Sequence, residues 1–306
     1  MRILVTGSSG LVGQNIVDKL NNEYQLLCPS SHELNLIDSR STNIFLKKER
    51  PDVIIHCAGI VGGIQANMNE PVRFLSDNAY MGLNIINGAF KADIKQVINL
   101  GSSCMYPRNA KNPLTEEMVL QGELEPTNEG YAIAKIMTER LCEYYNKQYP
   151  DLQYKTLIPC NLYGRYDKFN PEHSHMIPSV IRKIHLAKKN NEKIVNIWGS
   201  GKARREFMYA GDFADFIRFA LRKFTKLPDL LNVGLGYDYS IKEYYQTVAK
   251  VLGYTGAFNY DLTKPEGMKQ KLVDVTNLKE FGWESQLTLE EGIEKTYSYF
   301  KKEYSR

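Results

Sequence analysis

The sequence has no cysteine pair at C-x-x-C spacing, no long run of basic residues and no apolar stretch long enough to cross a bilayer. Each absence closes off a class. The five cysteines, Cys28, Cys57, Cys104, Cys142 and Cys160, are odd in number and widely spaced, which argues against a disulfide framework or a zinc site and suits a reducing compartment. A formal net charge of +4, dispersed along the chain, leaves no electrostatic footprint for nucleic acid but tolerates an anionic small substrate. The opening apolar run is too short for a signal peptide, and a membrane span needs about 20 apolar residues. The expectation is a cytoplasmic protein that binds neither membrane nor nucleic acid. Internal repeats and low-complexity linkers are also missing, and 306 residues suffice for a large core and two lobes.

What is present starts at the amino terminus. Arg2-Ile-Leu-Val-Thr6 is a short apolar run that stops at Gly7-Ser-Ser-Gly10-Leu-Val-Gly13, after which Gln14 to Leu20 has helical spacing. Strand, glycine turn and helix are the context a dinucleotide fingerprint requires. Gly7 permits the tight turn, Gly10 lets backbone approach a pyrophosphate, and Gly13 lets the helix lie close to the strand; Ser9, Leu11 and Val12 complete the cofactor-facing set. A second strand, Tyr24 to Cys28, ends in Pro29-Ser30-Ser31-His32, with neither the acid that selects NAD nor the arginine that selects NADP. Serines and a histidine can hydrogen-bond a phosphate, which tilts the expectation to NADP. Asp38 is placed either at the adenine or as a helix cap before Ser39-Arg-Ser-Thr.

Asp52-Val-Ile-Ile-His-Cys-Ala58 is a buried-type strand whose small end, Ala58, lets a flat cofactor pass; His56, inside the apolar run, is expected to be a satisfied core histidine. A helix around Asn78 to Asn87 leads to the strand Gln96 to Leu100. Strands and helices alternating at this pace give an α/β fold with a doubly wound parallel Rossmann sheet. Ligands bind at the carboxyl ends of such strands, which places Ser102 and Cys104 of Gly101-Ser-Ser-Cys-Met-Tyr-Pro107 at the site, on one face as an alternating pair. A buried, inert thiol is the plainer reading of Cys104. Tyr131 and Lys135 stand four apart in a helix-favouring run, so both project from one face, where an ammonium can lower the pKa of a phenol.

With the glycine turn, Ser102 and Tyr131-x-x-x-Lys135 in this order, the chain resembles the extended short-chain dehydrogenase/reductase family. Gly122 to Lys135, Asn161-Leu-Tyr-Gly164, Ser174-His-Met-Ile-Pro178, Trp198-Gly-Ser-Gly201 and Arg205-Glu-Phe207 narrow the resemblance to its GDP-L-fucose synthase group, over nearly the whole length. The resemblance implies a homodimeric enzyme that takes GDP-4-keto-6-deoxy-D-mannose, epimerises carbons 3 and 5, and reduces the carbon 4 ketone with NADPH. Tyr131, helped by Ser102, would hold the ketone oxygen; Lys135 would tune the phenol and hold the nicotinamide ribose. Cys104 and His175 match the acid/base pair, whose reference pKa values of ~8.5 and ~6.5 leave a protonated thiol and an accepting imidazole. Arg205 and Lys271, then Lys183, would meet the diphosphate, Asn161 the substrate, and Trp198 either guanine or core. His173 and His175 form an H-x-H pair, but no cluster beside them supports a metal.

The expected lobes are 1–163, binding NADP, and 164–306, binding the GDP-sugar, with segments near 201–212 and 231–234 returning to the first. Relatives with this resemblance that prefer NADP carry an arginine in the glycine turn and another after the second strand; here Ser8, Ser9 and Pro-Ser-Ser-His stand there, and Arg204 is an unusual neighbour for Arg205. A GDP-4-keto-6-deoxy-heptose 4-reductase acting with little or no epimerisation is the alternative. A nucleotide-sensing binding protein without turnover, or a redox-neutral epimerase or dehydratase, would share the fold.

Overall fold

A computed structural model describes residues 1–170, 174–263 and 268–304. The chain runs β1 (Arg2–Thr6), α1 (Leu11–Leu20), β2 (Gln25–Leu27), α2 (Ser39–Glu49), β3 (Val53–His56), α3 (Ile64–Asn69), α4 (Pro71–Lys91), β4 (Gln96–Leu100), α5 (Glu129–Gln148), β5 (Gln153–Pro159) and β6 (Asn161–Tyr163). It continues with α6 (Met176–Lys189), β7 (Ile194–Trp198), β8 (Arg204–Arg205), β9 (Phe207–Tyr209), α7 (Ala210–Arg222), β10 (Leu230–Val233) and β11 (Tyr239–Ser240). The remaining elements are α8 (Ile241–Leu252), β12 (Ala257–Asp261), β13 (Gln270–Lys271), α9 (Thr276–Phe281) and α10 (Leu289–Tyr304).

Six strands form one parallel sheet in the order β10-β5-β4-β3-β1-β2. Side chains alternate across it with period two, and this divides the apolar core. Ile3, Val5, Val53, Ile55 and Ile98 face one way, onto Ile16 and Leu20 of α1 and Phe213, Phe216 and Ile217 of α7. Leu4, Ile54 and Val97 face the other way, onto α2, α4 and α5 through Leu46, Ile85, Ile86 and Cys142. Burial on both faces is why these strands are apolar runs rather than polar alternations. Strand order reverses between β1 and β3, and the crevice above that reversal is where an open α/β sheet takes ligands.

A third cluster gathers Ile177, Ile181 and Ile184 of α6, Tyr244 and Val248 of α8, and Ile293 and Phe300 of α10. Beside it lie the parallel pair β7-β12, the three-stranded sheet β11-β8-β13 and the pair β6-β9. Helix α8 opens on a capping box, Ser240 with Glu243, and stops at Gly253 in the left-handed region, φ 64°. Among the described residues no helix is long and apolar enough to cross a membrane.

Helices α4 and α5 touch at Gly82, where an added Cβ would lie 2.0 Å from Thr138 Oγ1. Alanine would gain about 1 kcal/mol of helix propensity, but the two helices would have to separate, and overpacking costs about 1–3 kcal/mol. Gly82→Ala is expected to lower the unfolding free energy by about 1 kcal/mol or more, read as a shifted urea midpoint with an unchanged m-value.

Candidate active site

The carboxyl edges of β1, β3 and β4 converge. Gly7 adopts φ 68°, and a Cβ there would lie 2.7 Å from the Ala58 backbone; at Gly13 it would lie 2.2 Å from the Gly7 carbonyl oxygen. Only glycine fits at either place, so α1 is drawn against the turn and its first amides point into the crevice. Gly10 caps α1 with no side-chain bond, the first turn holds no acid, and a Cβ on Gly10 would meet only the Gly7 oxygen, at 3.4 Å. A dinucleotide's diphosphate suits this donor set. Ser9 spends its carbonyl on Gln14 Nε2, while Leu11 and Val12 are half-buried beside it.

The segment after β2 differs from expectation. Glu33 folds back so that its carboxylate accepts from both Ser30 N and Ser30 Oγ at 2.8 Å, which holds its pKa below the usual range. The Ser30 hydroxyl, expected as a phosphate partner, is thereby taken up by Glu33. Asp38 caps α2, its carboxylate accepting from Arg40 N at 2.9 Å. Ala58 donates its amide to Thr6 Oγ1 at 3.3 Å.

At the end of β4 the chain does not continue as a strand. It tightens into a 3₁₀ turn, Ser103–Met105, and Ser102 Oγ accepts from Cys104 N at 3.4 Å. Alternation along a strand does not bring Ser102 and Cys104 together; the turn does. Both neighbour Tyr131, which shares α5 with Lys135: Ser102 hydrogen-bonds the phenol, and Cys104 is among the groups that raise its pKa. The Lys135 ammonium lies 5.7 Å from the Tyr131 ring centroid and donates to the Leu100 carbonyl at 2.8 Å. Burial sets the charges here. It pushes the Tyr131 phenol up rather than down, against the pull of the Ser102 bond, and pushes the Lys135 ammonium down. The expected lowering of the phenol by Lys135 is not found, since the ammonium sits over the ring and spends a proton on a carbonyl.

Cys104 is buried and its thiol is held above the usual range, with Lys271 and Lys135 favouring the thiolate. Lys271 and Arg205 are register partners on β13 and β8, and both feel the half-buried carboxylate of Glu125. Sequence reasoning passed over Glu125. Its signal was an acid directly before Pro126, at the mouth of the helix that carries Tyr131. Arg204 is tied to Asp238, its Nε donating to Oδ1 at 2.6 Å, and the same carboxylate acts on Arg205. Asn161 Nδ2 donates to the Glu206 carbonyl at 2.9 Å.

Other expected residues lie on later elements. His175 caps α6, and burial with the nearby Lys168 pushes its imidazole below the usual range. His173 lies outside the described residues, and among those described no cluster of metal-ligating side chains occurs. Lys183 Nζ is tied to the Asn196 carbonyl at 2.9 Å and to Tyr245 OH at 3.2 Å. Trp198 ends β7 with 63% of its surface exposed, so it does not fill the core.

A glycine cradle at a sheet reversal, with a serine, a tyrosine and a buried lysine beside it, defines a Rossmann-type nucleotide-dependent enzyme. The chain belongs to the NAD dependent epimerase/dehydratase family, which residues 3–234 match. It is 54% identical over 304 residues to a GDP-L-colitose synthase of Yersinia pseudotuberculosis, with 99% of each chain covered. It is 45% identical over 300 residues to a GDP-L-fucose synthase of Azorhizobium caulinodans, covering 98% of this chain and 96% of that one. A solved GDP-mannoheptose C4 reductase from Campylobacter jejuni with NADP bound superposes with a TM-score of 0.89 at 31% identity, covering 98% of both chains.

His56 is 2% exposed, bonded to Thr6 Oγ1 at 2.8 Å, and burial with the nearby Lys135 lowers its pKa to about 3. The unfolded chain binds a proton near ~6.5, so between that value and about 3 the unfolded state carries more protons. This contribution to stability is present above ~6.5 and is lost as pH falls, by up to about 1.4 kcal/mol per pH unit. Urea unfolding of the parent and of His56→Gln at about pH 7 and about pH 5.5 checks it; the variant's stability should fall less between the two.

Proposed function

We propose that the protein reduces the carbon 4 ketone of a GDP-4-keto-6-deoxy sugar with NADPH and epimerises the ring carbons beside that ketone, giving GDP-L-fucose. The carrying observation is the meeting of Ser102, Cys104, Tyr131 and Lys135 at the carboxyl edge of β4, next to the Gly7-Gly10-Gly13 cradle. Gly7, Gly10 and Gly13, with Ala58 and Lys135, would hold NADPH, which would supply the hydride when bound.

Every remaining step belongs to the chain. Tyr131 and Ser102 hold the ketone oxygen, and the phenol, kept protonated by burial, gives its proton as negative charge develops there. Stabilising that oxygen also makes the neighbouring C–H groups acidic. Burial leaves both Cys104 and His175 neutral, so the thiol is the donor and the imidazole the acceptor of the inversion. Lys271 and Lys135 hold the thiolate left behind until the proton returns. Arg205 and Lys271 meet the diphosphate, with Lys183, Asn161 and Trp198 along the rest of the GDP-sugar.

The lobes divide at 163/164, with 201–212 and 231–234 serving the first. The protein works in the cytoplasm, where its cysteines, all free, stay reduced. It is a homodimer through α4 and α5, which leave Val72, Tyr80, Ile133 and Tyr144 exposed on one helix pair. A second reading is supported by the 54% identical relative. Colitose is L-fucose without its carbon 3 hydroxyl, so a 3-deoxy substrate would need inversion at carbon 5 alone.

Incubation with NADPH and GDP-4-keto-6-deoxy-D-mannose in heavy water, with product mass and proton spectrum, decides among these. Deuterium at carbons 3 and 5 with NADPH oxidation supports the epimerase-reductase. Turnover only of the 3-deoxy substrate, labelled at carbon 5, supports the second reading, and oxidation without deuterium means a plain ketoreductase such as the heptose enzyme. Tyr131→Phe should cost about 10²–10⁴ in kcat. Cys104→Ser should abolish inversion while reduction of a pre-epimerised ketone survives.

A further inference from the structure

Arg205 and Lys271 are register partners on adjacent parallel strands, about 5 Å apart at the backbone. Two like charges so close repel each other, and Arg205 is among the groups that lower the Lys271 pKa. Strands β8 and β13 are only two residues long, so their own ladder cannot hold the pair at a fixed spacing. Something else must fix it.

Glu206 follows Arg205 directly and is 1% exposed. One carboxylate oxygen accepts from the amides of Leu235 and, at 2.9 Å, Gly236, in the segment that leaves β10; the other accepts from the Val273 amide at 3.0 Å, two residues beyond Lys271. Its own carbonyl accepts from Asn161. One side chain thus joins the strand of Arg205, the strand of Lys271 and the edge of the six-stranded sheet. Space for it is made by Gly234, where an added Cβ would lie 2.4 Å from Glu206 Oε1 and 2.5 Å from Val273 Cγ2. A buried carboxylate is costly, and an apolar residue would fill the same volume at less cost, but only an acceptor with two oxygens can fix two amide-bearing segments at once.

We infer that Glu206 is a positioning residue that sets the spacing of the Arg205–Lys271 pair for the diphosphate of the nucleotide sugar. The inference rests on the functional reading above, in which those two cations meet the diphosphate. Glu206 touches no reacting atom. It acts through the register of β13 against β8, and Gly234 is its necessary partner.

Calorimetric titration of GDP and, separately, NADP⁺ into the parent, Glu206→Gln, Gly234→Ala and the double variant tests it, with thermal unfolding of each. The glutamine amide would turn N–H groups toward one of the two amide segments, so that segment loses its acceptor. The expected result is GDP affinity weakened by about tenfold or more in each single variant, with NADP⁺ affinity within about twofold of the parent. The double variant should be no worse than the weaker single one, since both remove one contact. Unchanged GDP affinity in Glu206→Gln overturns the inference, as does an equal loss of GDP and NADP⁺ affinity, which would mean a general structural role. Glu206→Asp, too short to span both segments, gives the same reading should the glutamine variant unfold. Failure of the functional reading looks different: the parent would not bind GDP, or Arg205→Ala and Lys271→Ala would leave its affinity unchanged, and the inference would fall with it.

Discussion

The bond from the Lys135 ammonium to the Leu100 carbonyl is the constraint on which the site depends. An ammonium on a residue only 7% exposed must be satisfied, and the Leu100 carbonyl at the end of β4 does so at 2.8 Å. That bond fixes α5 against the carboxyl edge of the sheet, and with it the height of Tyr131 above Ser102. It also explains the charges. Taken out of water, the lysine, the phenol and the thiol all shift toward their neutral forms. The phenol and the thiol are held protonated, with protons to give, while the two lysines beside the thiol favour its thiolate once a proton has left.

Much of this was legible because the relevant constraints are local. The glycine turn, the buried strands and the Tyr131–Lys135 spacing depend on backbone freedom, period two and helical pitch, all of which the sequence states directly. Cys104 marks the limit. Its neighbour Ser102 was found, but through the fold rule for strand ends, while the turn that joins them was read as a strand. Periodicity carries no information over three residues leaving a strand.

Other groups were missed for a related reason. Glu33 stands three residues past Ser30, and only a chain reversal brings its carboxylate back. Glu206 is separated by 29 to 67 positions from the amides it binds. Charged residues are ordinarily solvated, so no pattern distinguishes the few that bridge distant segments, and the direction of the Tyr131 shift likewise depends on burial that spacing does not encode.

The edge strand β10 has a consequence for how such a protein is built and altered. The sheet begins at Arg2 and is completed only by Leu230–Val233, which pairs with β5 after more than 60 intervening residues, from Cys160 to Asp229, have gone to other elements. A ribosome must therefore release most of the chain before the nucleotide-binding sheet can close, and a fragment ending at 163 would expose β5 as a bare edge. The segment between β5 and β10, which carries Arg205, is thus a loop of the six-stranded sheet. It can be altered residue by residue, but it cannot be exchanged as a cassette without carrying the sheet's last strand along.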